Sequence, residues 1–404
     1  VSEQAAKKPL KILIAADTYP PDVNGAAQFC RRLALGMSGR GHEVHVLAAR
    51  NNKGPSFTEV RPEAYVHRLR SHSIFTHPTY RLCLPWEITG EIKALFDKVQ
   101  PDVVHIQCHY MIGKAAIEEA TRRGIRVIAT NHFMPENLNP FLPFPDWFLK
   151  IVAKNSWRDM GKIMGKAAVV TTPTPLAARA MRDHAFLHEV MPLSNGIDAA
   201  AYEKKPGEKV EKNPYPTVLF AGRIAEEKNI DVLIDAVSKT DPALNIHLEI
   251  VGGGEVRPAL EAQVERLGLG GRVKFLGMIP DEELREAYLR ADLFVMPGTA
   301  ELQSLVTLEA MSASTPVLLA DAMALPHLVD EGVNGHLFTP GDSDQLAGQI
   351  EEFFRSSHQK RSAMGRASRK MVEPHSIAST HEVFEKLYYG EPVTFDFPDY
   401  SHHA

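Results

Sequence analysis

The chain has 404 residues, 45 Lys+Arg against 50 Asp+Glu for a formal charge of −5, and 44% apolar with 24% charged residues. That balance excludes a disordered chain and argues against a nucleic-acid partner, which calls for a basic excess. The length suits two or three domains with sizeable cores.

From the N-terminus, Lys11–Ala16, Glu43–Ala48, Val103–Gln107, Val127–Thr130 and Ala168–Thr172 are short, β-branched and apolar, which predicts buried strands. Between them Ala26–Ser38, Glu87–Lys98 and Ile112–Arg123 carry helix-period apolar residues. Glu203–Pro216 is charged and broken at Pro206, Pro214 and Pro216, which predicts a linker. Strands are then expected at Thr217–Ala221, His247–Val251, Val273–Leu276, Leu293–Met296 and Val317–Leu319. Helices are expected near Ile230–Ser238, Glu255–Leu267, Asp281–Leu289 and Ser304–Ser312. Two βαβ arrays imply two doubly wound α/β domains facing each other, with ligands at the carboxyl ends of the strands. The tail Pro374–Tyr389 is helical in pattern and is expected to pack back on the first domain.

Cys30, Cys83 and Cys108 are too few for a disulfide framework and lack C-x-x-C spacing, so packing roles in a reducing compartment are expected. No stretch approaches the roughly 20 apolar residues of a membrane span. Val1–Leu10 is polar and carries Lys7 and Lys8, which predicts a cytoplasmic protein with peripheral membrane contact at most.

The strongest local motif is Glu301-Leu302-Gln303-Ser304-Leu305, with Glu309 further on, after a predicted strand and the Pro297-Gly298 turn. A helix opening at Ser304 would offer backbone amides to a phosphate, with Glu301 in the preceding loop and Glu309 within the helix. The plain alternative makes both carboxylates surface groups. Gly222-Arg223 and Lys228 follow strand Thr217–Ala221, so two cations can clamp a diphosphate, or simply balance Glu226 and Glu227 in a solvated turn. Pro20-Pro21-Asp22-Val23-Asn24-Gly25 leads from the first strand into a helix, and Gly252-Gly253-Gly254 follows strand His247–Val251. Each gives backbone room for a phosphate or nucleotide, or is only a turn.

His132 follows strand Val127–Thr130, where a crevice residue or a satisfied polar group is expected. Asp342-Ser343-Asp344 has the D-x-D spacing of a metal site, yet it opens a helical pattern and is taken as an N-cap. His402-His403 offers at most an adventitious metal site, and no metal is expected. Lys150, Lys154, Arg158, Lys162 and Lys166 recur every four residues among Trp147, Phe148, Ile151, Val152, Met160, Ile163 and Met164. On a helix they make one slowly turning basic stripe, suited either to an anionic membrane or to plain solvation above a packed face.

Together, these residues resemble retaining glycosyltransferases of family 4, which have the GT-B fold of two facing Rossmann-like domains. The matching pieces are Tyr19-Pro20-Pro21 with Asn24-Gly25, Pro101-Asp102-Val103-Val104-His105, Thr130-Asn131-His132 and Ser194-Asn195-Gly196-Ile197-Asp198. Gly222-Arg223 with Glu227-Lys228, Val251-Gly252-Gly253-Gly254, Phe275-Leu276-Gly277 and Glu301 with Glu309 complete the set, spanning roughly residues 10 to 385. The resemblance implies an N-terminal acceptor domain over 1–196, a donor domain over 197–373, a returning helix over 374–390 and a tail over 391–404. It implies that Arg223 and Lys228 bind the donor diphosphate, Glu309 the ribose and Glu301 the donor sugar. Gly25 and His132 would lie near the phosphate and the transferred sugar, with amides of Gln303, Ser304 and Leu305 completing the site. Asn195, Gly222, Gly253 and Met278 join the donor set, Met278 at the base loop.

Two positions depart from the family pattern: its Gly-Gly loop is Gly25-Ala26 here, and Gln303-Ser304 stands where it has Phe-Gly. Glu301-Leu302-Gln303-Ser304 is instead similar to the Glu-Thr-Gln-Gly of membrane-lipid glycosyltransferases. That similarity implies a UDP-sugar donor, GDP-mannose being the other candidate, and together with the basic stripe and Pro78–Pro85 it implies a lipid or glycan acceptor. No cofactor is implied, because the nucleotide sugar is a substrate. A sugar-nucleotide epimerase or a non-catalytic nucleotide-sugar binder are the competing functions. A dehydrogenase is disfavoured because no G-x-G-x-x-G opens a helix after the first strand.

Overall fold

The computed structural model describes residues 7–22, 24–74, 77–135, 144–185, 187 and 189–393. His402-His403 and most of the 391–404 tail lie outside the described residues. The chain forms two compact units, one ending at Ser194 and resuming at Ala378, the other running Asn195–Ile377.

In the first unit the elements are β1 (Lys11–Ala15), α1 (Gly25–Gly39), β2 (Glu43–Ala49), β3 (Phe57–Val60), β4 (Tyr65–Leu69), β5 (His72–Ile74) and β6 (His77–Leu82). There follow α2 (Pro85–Val99), β7 (Val103–Ile106), α3 (Met111–Arg122), β8 (Arg126–Thr130), α4 (Asp146–Met164), β9 (Val169–Thr172), α5 (Pro175–Ala185) and β10 (Met191–Pro192). Their main sheet runs β10-β9-β8-β7-β1-β2-β4-β3, parallel except for the β3–β4 pair. β1 is flanked by β2 and β7, with Ile12 opposite both Val44 and Val103. The chain order reverses between β1 and β7, and that switch point opens a crevice at the strand ends. Side chains of β1, β2 and β7 are buried on both faces, as a helix-covered parallel sheet requires.

The second unit holds β11 (Thr217–Ala221), α6 (Ile230–Lys239), β12 (His247–Val251), α7 (Arg257–Arg266), β13 (Val273–Gly277), α8 (Asp281–Arg290) and β14 (Leu293–Met296). It ends with α9 (Leu305–Ser312), β15 (Val317–Ala320), β16 (Gly335–Phe338), α10 (Ser343–Arg355) and α11 (His358–Met371). The sheet is wholly parallel, ordered β13-β12-β11-β14-β15-β16, with its switch point between β11 and β14. A closing helix, α12 (Ile377–Tyr389), returns to the first unit, where Phe384, Leu387 and Tyr388 join the core formed by Ile12, Ile14, Phe29 and Leu33.

Local chemistry sets several boundaries. The Asn24 carboxamide caps α1 by accepting from Ala27 N–H at 2.8 Å, Pro85 opens α2 at a position that needs no N–H donor, and Ser357 caps α11. Asp342 accepts from Gln345 N–H at 2.9 Å and starts α10, so the D-x-D spacing is a helix cap. The stretch 203–216, expected as a linker, lies inside the second unit. Its charges are paired there: Arg285 donates to Glu208 at 2.7 Å, Lys212 stands 3.6 Å from Asp292, and Glu203 pairs with Arg369. A polar stretch is held in place by partners far away in the chain.

Candidate active site

The second unit's switch point gathers most of the candidate residues. Directly after β11, Gly222 has φ of +144°, and its N–H donates to Val251 O at 3.0 Å. Ile224 N–H donates to Gly253 O at 2.9 Å and Gly252 N–H to Gly277 O at 2.9 Å, lacing together the ends of β11, β12 and β13. A Cβ on Gly252 would stand 1.8 Å from Gly222 O and one on Gly254 2.0 Å from Ile224 O, so these two glycines are required by the turn itself. Gly253 differs. An added Cβ would touch only the Met278 side chain, at 3.4 Å, and Met278 is exposed.

Arg223 projects from this turn and pairs with Glu227, and with Glu255 at 3.3 Å. Lys228 pairs with Glu301 across the switch point, and Thr299 N–H donates to Glu227 O at 3.1 Å, tying the turn after β11 to the loop after β14. The Lys228 and Glu301 side chains are 19% and 11% exposed, so the pair is poorly screened by water. The family resemblance implied the donor sugar for Glu301 and the diphosphate for Lys228; in the structure each side chain is the other's counter-ion.

Beyond Glu301, Ser304 occupies the N-cap position of α9 without a side-chain cap bond; its hydroxyl accepts from Thr307 at 2.8 Å. The amides at Leu305 and beyond open the helix, where unpaired N–H groups and the helix dipole favour an anion. The Gln303 side chain is turned inward. Its Oε1 accepts from Asn195 N–H at 2.9 Å and its amide nitrogen stands 3.4 Å from His375 Nδ1, so the carboxamide fixes the 195 loop to the 301 loop. Glu309 is buried in the second turn of α9 and accepts from the Tyr288 hydroxyl at 3.0 Å. Sequence reasoning missed Tyr288, which lies on α8 with no local motif, and Glu255, although it directly follows the Gly252-Gly253-Gly254 turn.

In the first unit, Gly25 opens α1 and is exposed, with nothing within 4 Å of an added Cβ. Phe29, one turn later, lies 4.5 Å from the His132 ring, so α1 and the end of β8 share a wall. Burial pushes the His132 pKa down to about 3, leaving a neutral imidazole whose Nε2 makes no hydrogen bond among the described residues. At the switch point itself stand Asp17, after β1, and Gln107-Cys108, after β7. The Cys108 thiol donates to the Asp17 carboxylate, and burial raises the pKa of both groups. Asp17 and Gln107 were not picked out in the sequence, although their place right after two central strands was a usable signal.

The basic stripe is confined to α4 for Lys150, Lys154, Arg158 and Lys162, all exposed, whereas Lys166 falls past the helix end at Met164. Leu149, Ala153, Trp157, Met160, Ile163 and Met164 form its buried face, while Trp147 and Ile151 stand exposed at 65% and 48%. Among the described residues no helix is long and apolar enough to cross a membrane.

A family model for glycosyltransferase family 4 matches residues 23–201, and one for glycosyl transferases group 1 matches residues 202–371. A GDP-mannose-dependent alpha-mannosyltransferase of Corynebacterium glutamicum is 25% identical over 344 residues, covering 82% of this chain and 77% of its own. The alpha-monoglucosyldiacylglycerol synthase of Streptococcus pneumoniae is 25% identical over 364 residues, with 85% and 78% covered. Among solved structures, Anabaena HepE in complex with UDP-glucose matches with a TM-score of 0.72 at 20% identity, over 94% of this chain and 100% of that one. Two family matches that together run from residue 23 to residue 371, on a chain folded into two parallel-sheet units, place this protein among the GT4-like glycosyltransferases of the GT-B fold.

Proposed function

We propose that the protein is a retaining hexosyltransferase that takes a nucleoside-diphosphate sugar, a UDP-sugar in preference to GDP-mannose, and delivers the sugar to a hydroxyl of a membrane lipid or lipid-linked glycan. The observation that carries this reading is the arrangement of Arg223, Lys228 and the first amides of α9 around one switch point, with Glu301 and Glu309 beside them.

The chemistry follows from those groups. Breaking a sugar–phosphate bond leaves an oxocarbenium-like sugar and a diphosphate whose charge grows as it departs. Fixed cations and helix amides stabilise that charge where it develops. Lys228 is already held by Glu301, so a bound diphosphate meets a cation positioned in advance. Arg223 would serve the same phosphates, Glu309 the ribose hydroxyls and Glu301 the donor sugar, with Gly25 and His132 from the first unit near the phosphate and that sugar. Asn195, Gly222, Gly253 and Met278 belong to the nucleotide's surroundings, and the backbone of Gln303, Ser304 and Leu305 to the phosphate's. No covalent nucleophile is invoked; the donor phosphate accepts the acceptor's proton on the same face, which retains configuration. No metal or cofactor takes part in this scheme.

The preference for uridine rests on the Glu301-Leu302-Gln303-Ser304 resemblance, and the mannosyltransferase relative makes GDP-mannose the necessary control. A lipid acceptor is supported by the relative named as a glucosyldiacylglycerol synthase and by α4, where exposed Trp147 and Ile151 flank Lys150 and Lys154. Cations beside exposed aromatic and aliphatic groups suit an anionic bilayer surface.

Thermal-shift measurements with UDP, GDP and their sugars test the donor site: one nucleotide raises Tm in wild type and none does in an Arg223→Ala/Lys228→Ala variant. A nucleotide-dependent shift that survives both substitutions would overturn the assignment, and an epimerised donor formed without acceptor would replace transfer with epimerisation. Co-sedimentation with vesicles, with and without anionic lipid, tests α4. Equal pelleting of wild type and a variant neutralised at Lys150, Lys154, Arg158 and Lys162 would remove the membrane role.

A further inference from the structure

Gln303 lies between two parts of the candidate site that share one loop. Glu301, two residues earlier, pairs with Lys228, and Leu305, two residues later, opens α9. The Gln303 side chain is buried and reaches the first and last stretches of the second unit. Its Oε1 accepts from Asn195 N–H at 2.9 Å, and its amide nitrogen stands 3.4 Å from His375 Nδ1.

Those two stretches are joined to each other. Ile197 N–H donates to His375 O at 2.7 Å and Ile377 N–H to Ile197 O at 3.0 Å, so residues 195–197 and 375–377 form one short hydrogen-bonded pair of segments. Burial pushes the His375 pKa down to about 4, which leaves a neutral imidazole with a nitrogen lone pair able to accept from the carboxamide. Upstream, the loop is tethered through its backbone, since Thr299 N–H donates to Glu227 O and Ala324 N–H to Glu301 O, both at 3.1 Å. The Gln303 carboxamide adds a tether on the α9 side of Glu301. It is built from directional bonds in a buried setting, where a bond left unmade is costly. An apolar side chain of that size, such as the Phe of the family pattern, fills space but offers no acceptor to the Asn195 N–H.

We infer that Gln303 is a positioning residue: its carboxamide, anchored on Asn195 and His375, sets where the Glu301 carboxylate and the first amides of α9 stand during transfer. This rests on the glycosyltransferase reading and deepens it, by giving the Gln303 side chain a task separate from that of the loop backbone. Fixed donors and charges stabilise a transition state only when correctly aimed, and a displacement of about 1 Å costs up to about 100-fold in rate.

The variants are Gln303→Met, which keeps the length and loses both bonds, and Gln303→Glu, which keeps an acceptor for the Asn195 N–H. Both are assayed on the full chain as nucleotide release from UDP-glucose and from GDP-mannose, with diacylglycerol-containing vesicles as acceptor and with water alone. Gln303→Met is expected to lower kcat by roughly 10-fold to 100-fold while the donor KM moves by less than about threefold. Gln303→Glu is expected to recover most of that kcat. A kcat for Gln303→Met within about twofold of wild type, or an equal loss in both variants, would overturn the brace. So would a loss that vanishes once rates are scaled to the folded fraction at the assay temperature, because that is a stability effect. Amide hydrogen exchange needs no variant: saturating UDP or GDP is expected to slow exchange at Asn195 by about 10-fold, since a ligand that orders the loop also holds its anchor. An Asn195 rate that neither nucleotide changes counts against the brace. A wild type that releases nucleotide from no nucleotide sugar supplied removes the glycosyltransfer reading itself, whereas an active wild type with an unaffected Gln303→Met removes only the brace.

Discussion

At its switch point the second unit sets Lys228 against Glu301, and Arg223 against Glu227 and Glu255, while the first unit leaves the Gln107 carboxamide and the His132 Nε2, neither of them charged at neutral pH, without a hydrogen bond among the described residues. The same strand topology thus carries opposite chemistry. Charges left unpaired in a low-dielectric site are costly, and the second unit keeps its cations neutralised by carboxylates. Neutral polar groups are cheaper to leave open, and among the described residues of the first unit Gln107, His109 and His132 each keep a buried atom open. One switch point is lined with paired charges and the other with open neutral groups.

The largest effect is expected from breaking the charged half of this comparison. Lys228→Met should lower turnover by about 10²–10³, equivalent to roughly 3–4 kcal/mol of transition-state stabilisation. It also strands the Glu301 carboxylate, so thermal unfolding should show a loss of about 1–3 kcal/mol. Adding Glu301→Gln should recover much of that stability and none of the turnover. Recovery of turnover in the double variant would mean that Lys228 serves only to neutralise Glu301.

Next comes the turn that aims Arg223. Gly252 has φ of +133°, and a Cβ there would meet the Gly222 carbonyl at 1.8 Å, so Gly252→Ala should cost about 3 kcal/mol and weaken nucleotide binding. Gly253→Ala, one residue away, meets only the flexible Met278 side chain at 3.4 Å and should stay within about 0.5 kcal/mol of wild type. Urea unfolding of the two variants separates a glycine needed by the backbone from one that leaves room for a ligand.

The neutral half is sharpened by pH. His132 has a folded pKa near 3 against 6.5 for an ordinary histidine, so below about pH 6.5 the unfolded chain takes up a proton that the native site refuses. Stability present above that pH is therefore lost as pH falls toward 3, by roughly 1 kcal/mol per pH unit for this residue. Unfolding of His132→Gln should be less steep between pH 6.5 and 4. An equal slope would show that the ring is protonated in the native state.

The two arrays were legible because their core strands are apolar enough to be buried on both faces: β1, β7, β11 and β14 fall where the β-branched runs place them. β3 was not, because Phe57–Val60 lies at an edge, mostly exposed, and carries no burial pattern. The stretch 203–216 misled for the converse reason, its polarity being satisfied by Arg285, Asp292 and Arg369, which sequence proximity does not reveal. Arg223, Lys228, Glu301 and Glu309 could be singled out as charged groups placed after strands. The direction of the Gln303 side chain and the open amide of Gln107 could not, since both depend on which groups from other strands lie opposite.

The smallest effect probes whether Glu309 is held ready for its ligand. Tyr288 on α8 donates to Glu309 at 3.0 Å, and both are buried. Tyr288→Phe removes one hydrogen bond to a charged group, worth about 1.5–3 kcal/mol when the carboxylate is left short of a donor. A ribose hydroxyl that binds Glu309 would restore part of that deficit in the complex. The variant should therefore lose stability in the free protein yet gain more on nucleotide binding, showing a larger Tm shift with saturating UDP than wild type. Equal shifts would mean that the nucleotide does not reach Glu309, and that this carboxylate belongs to the packing of α8 against α9.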